Sequence, residues 1–382
     1  MKELTTFLTY SGISTILFLI LLLSRTWKKR EANKVLAGTL LSFLFLFLTY
    51  ASSYLKWNFL TTVVSPLGII ITFALGPFIF QYIKSIYTAT IDFKRFVRDL
   101  FPFGIAFLIY SVPQYIFGPS LDDKTIVFQI ISMLIPFLGV LYLAYYLFLS
   151  HRLLKRYRKL VKNNYSNINT LDLKWLSIWT RGFILFLIID MISGVLIVAY
   201  PIDSTLVYAN LFYFVLLIWY LGYFGINQLQ VFLINDTPLE SVEKNLSSQK
   251  KIKAASFFDC ESQEFTELKT QLEIIFTEQE LFKRQHLSLK ETADILDISD
   301  KKLSHLLNIC LASNFYEYVN THRVKHFRKE LEAGASEKLT LLAIAFDSGF
   351  NSKATFNRVF KQQVGITPVE FKKQFNKRSQ SF

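Results

Sequence analysis

A chain of 382 residues with 52% hydrophobic residues and a mean hydropathy of +0.33 is too long for one core and too apolar for a uniformly soluble fold. Its net charge of +13 is unevenly spread: residues 1–226 hold 20 Lys+Arg against 9 Asp+Glu, 227–280 hold 5 against 10, and 281–382 hold 17 against 10. The basic C-terminal stretch has the sign suited to a partner made of phosphate.

Seven apolar stretches, 5–24, 35–55, 62–83, 99–117, 126–149, 182–200 and 206–226, approach the length needed to cross a membrane, for which a helix needs about 20 residues. The first is not a signal peptide, because its basic cluster follows the apolar run and no small-residue cleavage site appears. Between the stretches, 17 basic residues fall on one side, including Arg25 to Lys34, Lys84 to Arg98 and Arg152 to Arg181, against 3 on the other. The positive side is expected inside, so the N-terminus is placed outside and seven crossings deliver the tail to the cytosol. The expected location is the inner (cytoplasmic) membrane, multi-pass, with the lipid bilayer as a partner.

Pro66, Pro77, Pro102, Pro113 and Pro136 lie in or near these stretches, where they can kink helices and open a ligand cavity. Trp27, Trp57, Trp175, Trp179, Trp219 and Tyr223 sit near the expected span ends as headgroup anchors. Asp190 is the one acid deep in a span. It reads either as a candidate signal-sensing residue or as a protonated or hydrogen-bonded group joining helices. The loop 150–181 carries eight basic residues, for which attraction to anionic headgroups is the simplest account.

Residues 227–262 are polar and read as a linker. Phe265, Leu268, Leu272, Ile275 and Phe276 then recur at helical spacing and predict an amphipathic helix. Cys260 and Cys310, the only two cysteines, read as unlinked packed thiols suited to a reducing cytosol.

Ser288 to Glu291 is a capping box opening a helix with Leu289, Ala293 and Leu296 inward. Ser299 and Asp300 cap a second helix that buries Leu303, Leu306, Leu307 and Cys310 and leaves Lys301, Lys302, Ser304, His305 and Asn308 on its open face. Two short helices joined by a tight turn describe a helix-turn-helix. The arrangement recurs about 53 residues on: Leu342, Ala345 and Phe346 in a first helix, Gly349 at the turn, Ser352 as cap, and Phe356, Val359 and Phe360 inward. Between them, the helical run Phe315 to Leu331 suits a rigid strut. Two reading helices so held could enter major-groove segments about 34 Å apart.

The stretch Leu339 to Phe371, with Ile344-Ala345, Gly349-Phe350, Phe356, Phe360-Lys361, Gly365 and Thr367-Pro368, resembles the signature of the AraC/XylS family of transcription regulators. The first unit and Asn314 through Val324 are similar to the same family's first half and connector, so the resemblance covers about 100 residues. It implies that Lys353, Ala354, Thr355 and Arg358 approach base edges, with Lys301, Ser304 and His305 at the matching positions of the first unit. Lys302, Asn351, Ser352, Asn357 and Lys361 are better placed to contact phosphates. The apolar half is similar to that of membrane-embedded members of the family, not to the sugar-binding barrel of familiar soluble members.

No phosphate loop, zinc-protease motif, nucleophile elbow or Cys-x-x-Cys occurs, so no catalytic residue, cofactor or enzyme activity is expected. His322 and His326, four apart, lack an evident third metal ligand.

The expected fold is therefore all-α: a polytopic transmembrane helix bundle over 1–226, a linker with an amphipathic helix over 227–276, and a double helix-turn-helix domain over 277–382. The expected function is a membrane-bound, sequence-specific transcription regulator. Its expected partners are double-stranded DNA, an unknown small-molecule or membrane signal, and a second copy of the chain. The alternative is a polytopic receptor or transporter whose helical tail binds a protein.

Overall fold

The computed structural model describes residues 2–25, 31–55, 58–88, 91–117, 125–168, 173–199, 205–232, 260–335 and 338–379. Among them there are helices and turns but no strand, only an isolated antiparallel bridge between Tyr165 and Ser288. The chain divides into two units: Met1–Arg156 with Leu173–Ser241, and Tyr157–Asp172 with Val242–Phe382.

The first unit is built of apolar helices: Lys2–Ser24, Glu31–Leu55, Asn58–Ile70, Thr72–Thr88, a broken run over Phe93–Phe117, Ile126–Asn164, Lys174–Ala199 and Thr205–Phe232. By length and composition, five of the described helices could cross a membrane, or six if the pair Thr61–Ile70 and Thr72–Ile86 is one span bent by 55° at Ile71. The last expected stretch is helical but shorter in its apolar part, Ala209–Gly225. The bend at Ile71 lies between Pro66 and Pro77, each of which lacks the amide that would extend the helical ladder. In the run from Phe93, helical turns pass into a π turn over Phe107–Ser111. Its Ser111 hydroxyl donates to the Pro66 carbonyl (2.8 Å).

Phenylalanines of three helices fill the interior of this unit. Phe47 stacks on Phe214 with centroids 5.3 Å apart, Phe214 on Phe186 (5.0 Å), and Phe43 meets Phe183 edge-on (5.5 Å). The outside is apolar too: Ile126 is 75% and Met133 77% exposed, and Leu17, Phe18 and Leu21 are also exposed. Water would penalise so continuous an apolar exterior, whereas hydrocarbon would not. Asp190 is met by the neighbouring helix, with Asn210 Nδ2 donating to its Oδ1 at 3.4 Å. Two expected headgroup anchors are instead packed inside. Trp179 is buried and donates to the Leu217 carbonyl (3.0 Å), and Trp175 is buried against Phe224. Trp219 and Tyr223 are exposed, and Trp27 and Trp57 lie outside the described residues.

Beyond the apolar stretches the chain departs from the sequence reading in three ways. Residues 227–232, expected as linker, continue the helix Thr205–Phe232, and 233–259 lie outside the described residues. The loop expected to face headgroups contributes Tyr157–Asp172 to this unit, and the helix Ile126–Asn164 runs without a break from the first unit into it. Cys260 and Cys310 are joined by a disulfide across a sequence separation of 50, with Cα atoms 5.4 Å apart, which overturns the expectation of unlinked thiols. The pairing is reached only because the chain folds the start of one helix against the end of another.

Candidate nucleic-acid interface

The first helix-turn-helix is Leu289–Ile295 and Asp300–His305, the latter running into a π turn over Leu306–Cys310. Ser288 and Ser299 cap the two helices, their hydroxyls accepting the amides of Glu291 (3.1 Å) and Lys302 (3.3 Å). Only half of the expected capping box forms, because the Glu291 carboxylate turns to Arg284 (2.5 Å). Leu289, Ala293, Leu303, Leu306 and Leu307 are buried together with Phe265, Leu268, Leu272 and Phe276 of the preceding helix Gln263–Thr277. Burial of each of these larger side chains contributes about 1.5–3 kcal/mol, which is why that helix belongs to the domain.

The strut is Phe315–Glu332, capped by Asn314. The second helix-turn-helix is Leu341–Asp347 and Lys353–Val364, capped by Thr340 and Ser352, and the helix Pro368–Ser379 follows. Phe327 of the strut packs on Phe356 (4.6 Å) and Phe360 (5.3 Å), while Phe350 packs on Phe356 (5.3 Å). Ile344 and Ala345 are the buried positions of the first helix here; Phe346 is exposed. A full reciprocal capping box forms where it was not anticipated. The Thr367 amide donates to Glu370 Oε2 (2.8 Å) and the Glu370 amide to Thr367 Oγ1 (3.3 Å), holding the Glu370 carboxyl below its ordinary range.

Arg323 of the strut ties the two halves together. Its guanidinium is buried, donating through Nε to the Phe282 carbonyl (2.8 Å) and through Nη2 to the Arg284 carbonyl (2.7 Å) and Ser166 Oγ (3.4 Å), and it lies over the Phe350 ring. Burial lowers its pKa to about 10, so it stays charged at neutral pH. Gly349 makes room for this junction. At φ +91° a Cβ there would stand 2.5 Å from the Phe282 carbonyl oxygen and 3.0 Å from Arg323 Nε.

Residues 165–168 complete the junction as a strap. The Ser166 amide and hydroxyl both donate to the Leu287 carbonyl (3.1 and 2.7 Å), and Asn320 Nδ2 donates to the Ser166 carbonyl (3.4 Å). Periodicity gave no signal for this segment, since its partners lie 121 and 154 positions away.

On the second reading helix, Lys353, Ala354, Asn357, Arg358 and Lys361 are exposed on one side, and Asn351 and Ser352 are half-buried at its entry. Thr355 is not on that face. It is buried, and its hydroxyl meets that of Ser352 at 3.1 Å, as part of the cap. Arg358 is preset by the strut, its Nη2 donating to Tyr316 Oη (3.0 Å) with the guanidinium over the same ring.

On the first reading helix, Lys301 and Ser304 are half-exposed, while Lys302 pairs with Glu264 beside the Phe265 ring. His305 turns toward the domain rather than outward: its ring meets Phe265 edge-on (5.7 Å), and its Nε2 is buried. The first reading helix therefore presents less free cationic surface than the second.

His322 and His326 face carboxylates. His322 Nε2 is 3.6 Å from Glu273, and His326 Nε2 is 3.6 Å from Glu280 and 3.7 Å from Glu330, with Nδ1 3.0 Å from Ser348 Oγ. Burial lowers both pKa values.

This geometry meets a matching comparison with known proteins. A family model described as a helix-turn-helix domain matches residues 292–374. Those residues form an AraC-type helix-turn-helix domain. Among curated proteins, the chain is similar to uncharacterized HTH-type transcriptional regulators of Staphylococcus aureus, strains COL and MSSA476, at 31% identity over 93 residues in each case. The match covers 24% of this chain and 12% of each relative, so the chain spans only a small part of their length. No solved structure matches. The family match and the double reading unit agree on a helix-turn-helix domain at this end of the chain.

Proposed function

We propose that the chain is a membrane-bound, sequence-specific regulator that converts a membrane or extracytoplasmic signal into a change in DNA binding. The observation that carries this reading is the helix Ile126–Asn164, which begins in the apolar unit and ends in the unit that reads DNA. Its last residues lead into the strap at Ser166, which bonds both to the first helix-turn-helix at Leu287 and to the strut at Asn320 and Arg323. A change in the apolar helices therefore has a covalent and hydrogen-bonded route to the spacing of the reading helices, beside the route through 233–259.

The apolar exterior of the first unit and the excess of basic residues between its helices support a bilayer setting with the tail in the cytosol. In the second reading helix, Lys353, Ala354 and Arg358 contact base edges, with Asn351, Ser352, Asn357 and Lys361 on phosphates. In the first, Lys301 and Ser304 face the groove and Lys302 is released from Glu264 as it meets phosphate. Thr355 holds the cap. Asp190, paired with Asn210, couples two helices of the sensor.

The test is genome-wide mapping of cross-linked sites with a tag placed after Phe382, run alongside membrane fractionation. Discrete recurring sites recovered from the membrane fraction are expected. A tag found outside the cell, or no site enrichment over an untagged control, would overturn the reading.

A further inference from the structure

Beyond DNA reading, the first helix-turn-helix carries a group of side chains with a different chemistry. Cys260 Sγ, Cys310 Sγ and a ring nitrogen of His305 all lie within 4.8 Å of one another, and all three residues are half-buried. Among the described residues, no other trio of His, Cys, Asp or Glu brings its ligand atoms this close. Cys260 stands just before Ser262, the cap of Gln263–Thr277; His305 ends the first reading helix; and Cys310 ends the π turn that follows it.

We infer that, in the reduced protein, these three side chains bind one thiophilic metal ion of the Zn2+ class. Two thiolates and an imidazole form a donor set that such ions prefer over the oxygen ligands sought by Mg2+ or Ca2+. The Cα atoms of the two cysteines are 5.4 Å apart, and opening of the disulfide leaves both sulfurs beside the imidazole. The opening consumes two molecules of a small cytosolic thiol, which leave as their own disulfide. Each cysteine gains a proton and gives it to solvent when its sulfur takes the metal. Water fills the fourth position of a tetrahedral ion.

The site would serve as a clasp. It fixes the residue that follows the segment 233–259 to the two ends of the π turn behind the first reading helix, so metal occupancy bears on how that helix is held. It also accounts for the inward turn of His305, a residue that family resemblance alone would place at a base edge.

The inference rests on the cytosolic placement proposed above only in taking the reduced state as the working one, and its test is made without DNA. The full chain, purified in detergent, reduced and stripped with a chelator, is titrated with Co2+ and then with Zn2+. One Co2+ per chain is expected, with thiolate charge-transfer and tetrahedral d–d absorption that Zn2+ displaces. His305→Gln should weaken binding tenfold or more, and Cys260→Ser or Cys310→Ser should abolish the charge-transfer band. In the unaltered chain, bound Zn2+ should slow alkylation of both cysteines, a readout that needs no variant. Absence of stoichiometric binding, a disulfide that persists in excess thiol, alkylation indifferent to Zn2+, or affinity unchanged in His305→Gln would each overturn the inference. None of these results would bear on promoter binding.

Discussion

Replacing Gly349 by Ala should damage the DNA-binding unit far more than the same change at Gly365, although the two glycines share almost the same backbone conformation. Both lie in the left-handed region, at φ +91° and +88°, where an L side chain costs about 1–2 kcal/mol. At Gly365 nothing lies within 4 Å of the added Cβ, so that conformational cost is the whole effect. At Gly349 the Cβ would meet the Phe282 carbonyl oxygen at 2.5 Å, Lys283 Cα at 2.8 Å and Arg323 Nε at 3.0 Å. Two of these three atoms are backbone. Relief requires moving the carbonyl that accepts from Arg323, and overpacking of this kind adds about 1–3 kcal/mol. Gly349→Ala should therefore cost about 2–5 kcal/mol against about 1–2 for Gly365→Ala. Hydrogen exchange over Leu341–Val364 in the full chain, read as opening free energy, measures both on one scale. Equal losses at the two sites would refute the argument that Gly349 is required by close approach between the two halves.

Arg358→Ala should reduce discrimination between a cognate and a scrambled duplex by about 1–3 kcal/mol, as for one lost base contact. A uniform loss on both duplexes in a bandshift would place Arg358 on phosphate instead. Ser166→Ala removes the hydroxyl that bonds Leu287 and receives Arg323, and should free the strap at a cost of about 1–3 kcal/mol. Exchange at 165–168 no faster than in the parent chain would show that the strap is held by something else. His322 and His326 have folded pKa values below the ordinary 6.5, chiefly through burial, so their neutral forms are the folded ones. Their contribution is complete above pH 6.5 and is lost as pH falls through the lowered folded values. The strut should open more easily below pH 6.5, and the double variant His322→Gln, His326→Gln should flatten that dependence. An unaltered slope in the variant, from hydrogen exchange corrected for intrinsic rates, would exclude these residues as its source.

Local chemistry was readable from the sequence wherever it acts over one turn. The caps at Ser288, Ser299 and Ser352 and the inward stripes Leu303, Leu306, Leu307 and Phe356, Val359, Phe360 sit where spacing places them. What escaped was set by partners distant in sequence. The strap at Ser166 bonds through its amide, carbonyl and hydroxyl to residues more than 100 positions away, and Cys260 reaches Cys310 only after two helices fold together. Arg323 could be expected on a polar strut but not as a buried hub, because its acceptors come from two distant segments, Phe282 with Arg284 and Ser166. Thr355 misled for the opposite reason. It is within reach of the Ser352 hydroxyl, and a cap at the first turn takes it out of the open face. In the apolar half, composition located the helices and the prolines marked where one pair bends, but the π turn at Phe107–Ser111 has no counterpart in hydropathy.

The central claim, that one chain held in lipid reads two successive turns of a duplex, is tested most directly by hydroxyl-radical footprinting of a genomic site with the full chain in lipid nanodiscs. The account predicts two protected segments about 34 Å apart, 10–10.5 base pairs centre to centre, on one face of the DNA, the segment under the second reading helix being lost in Arg358→Ala. A single protected segment, or protection that appears only when the chain is removed from lipid, would contradict it.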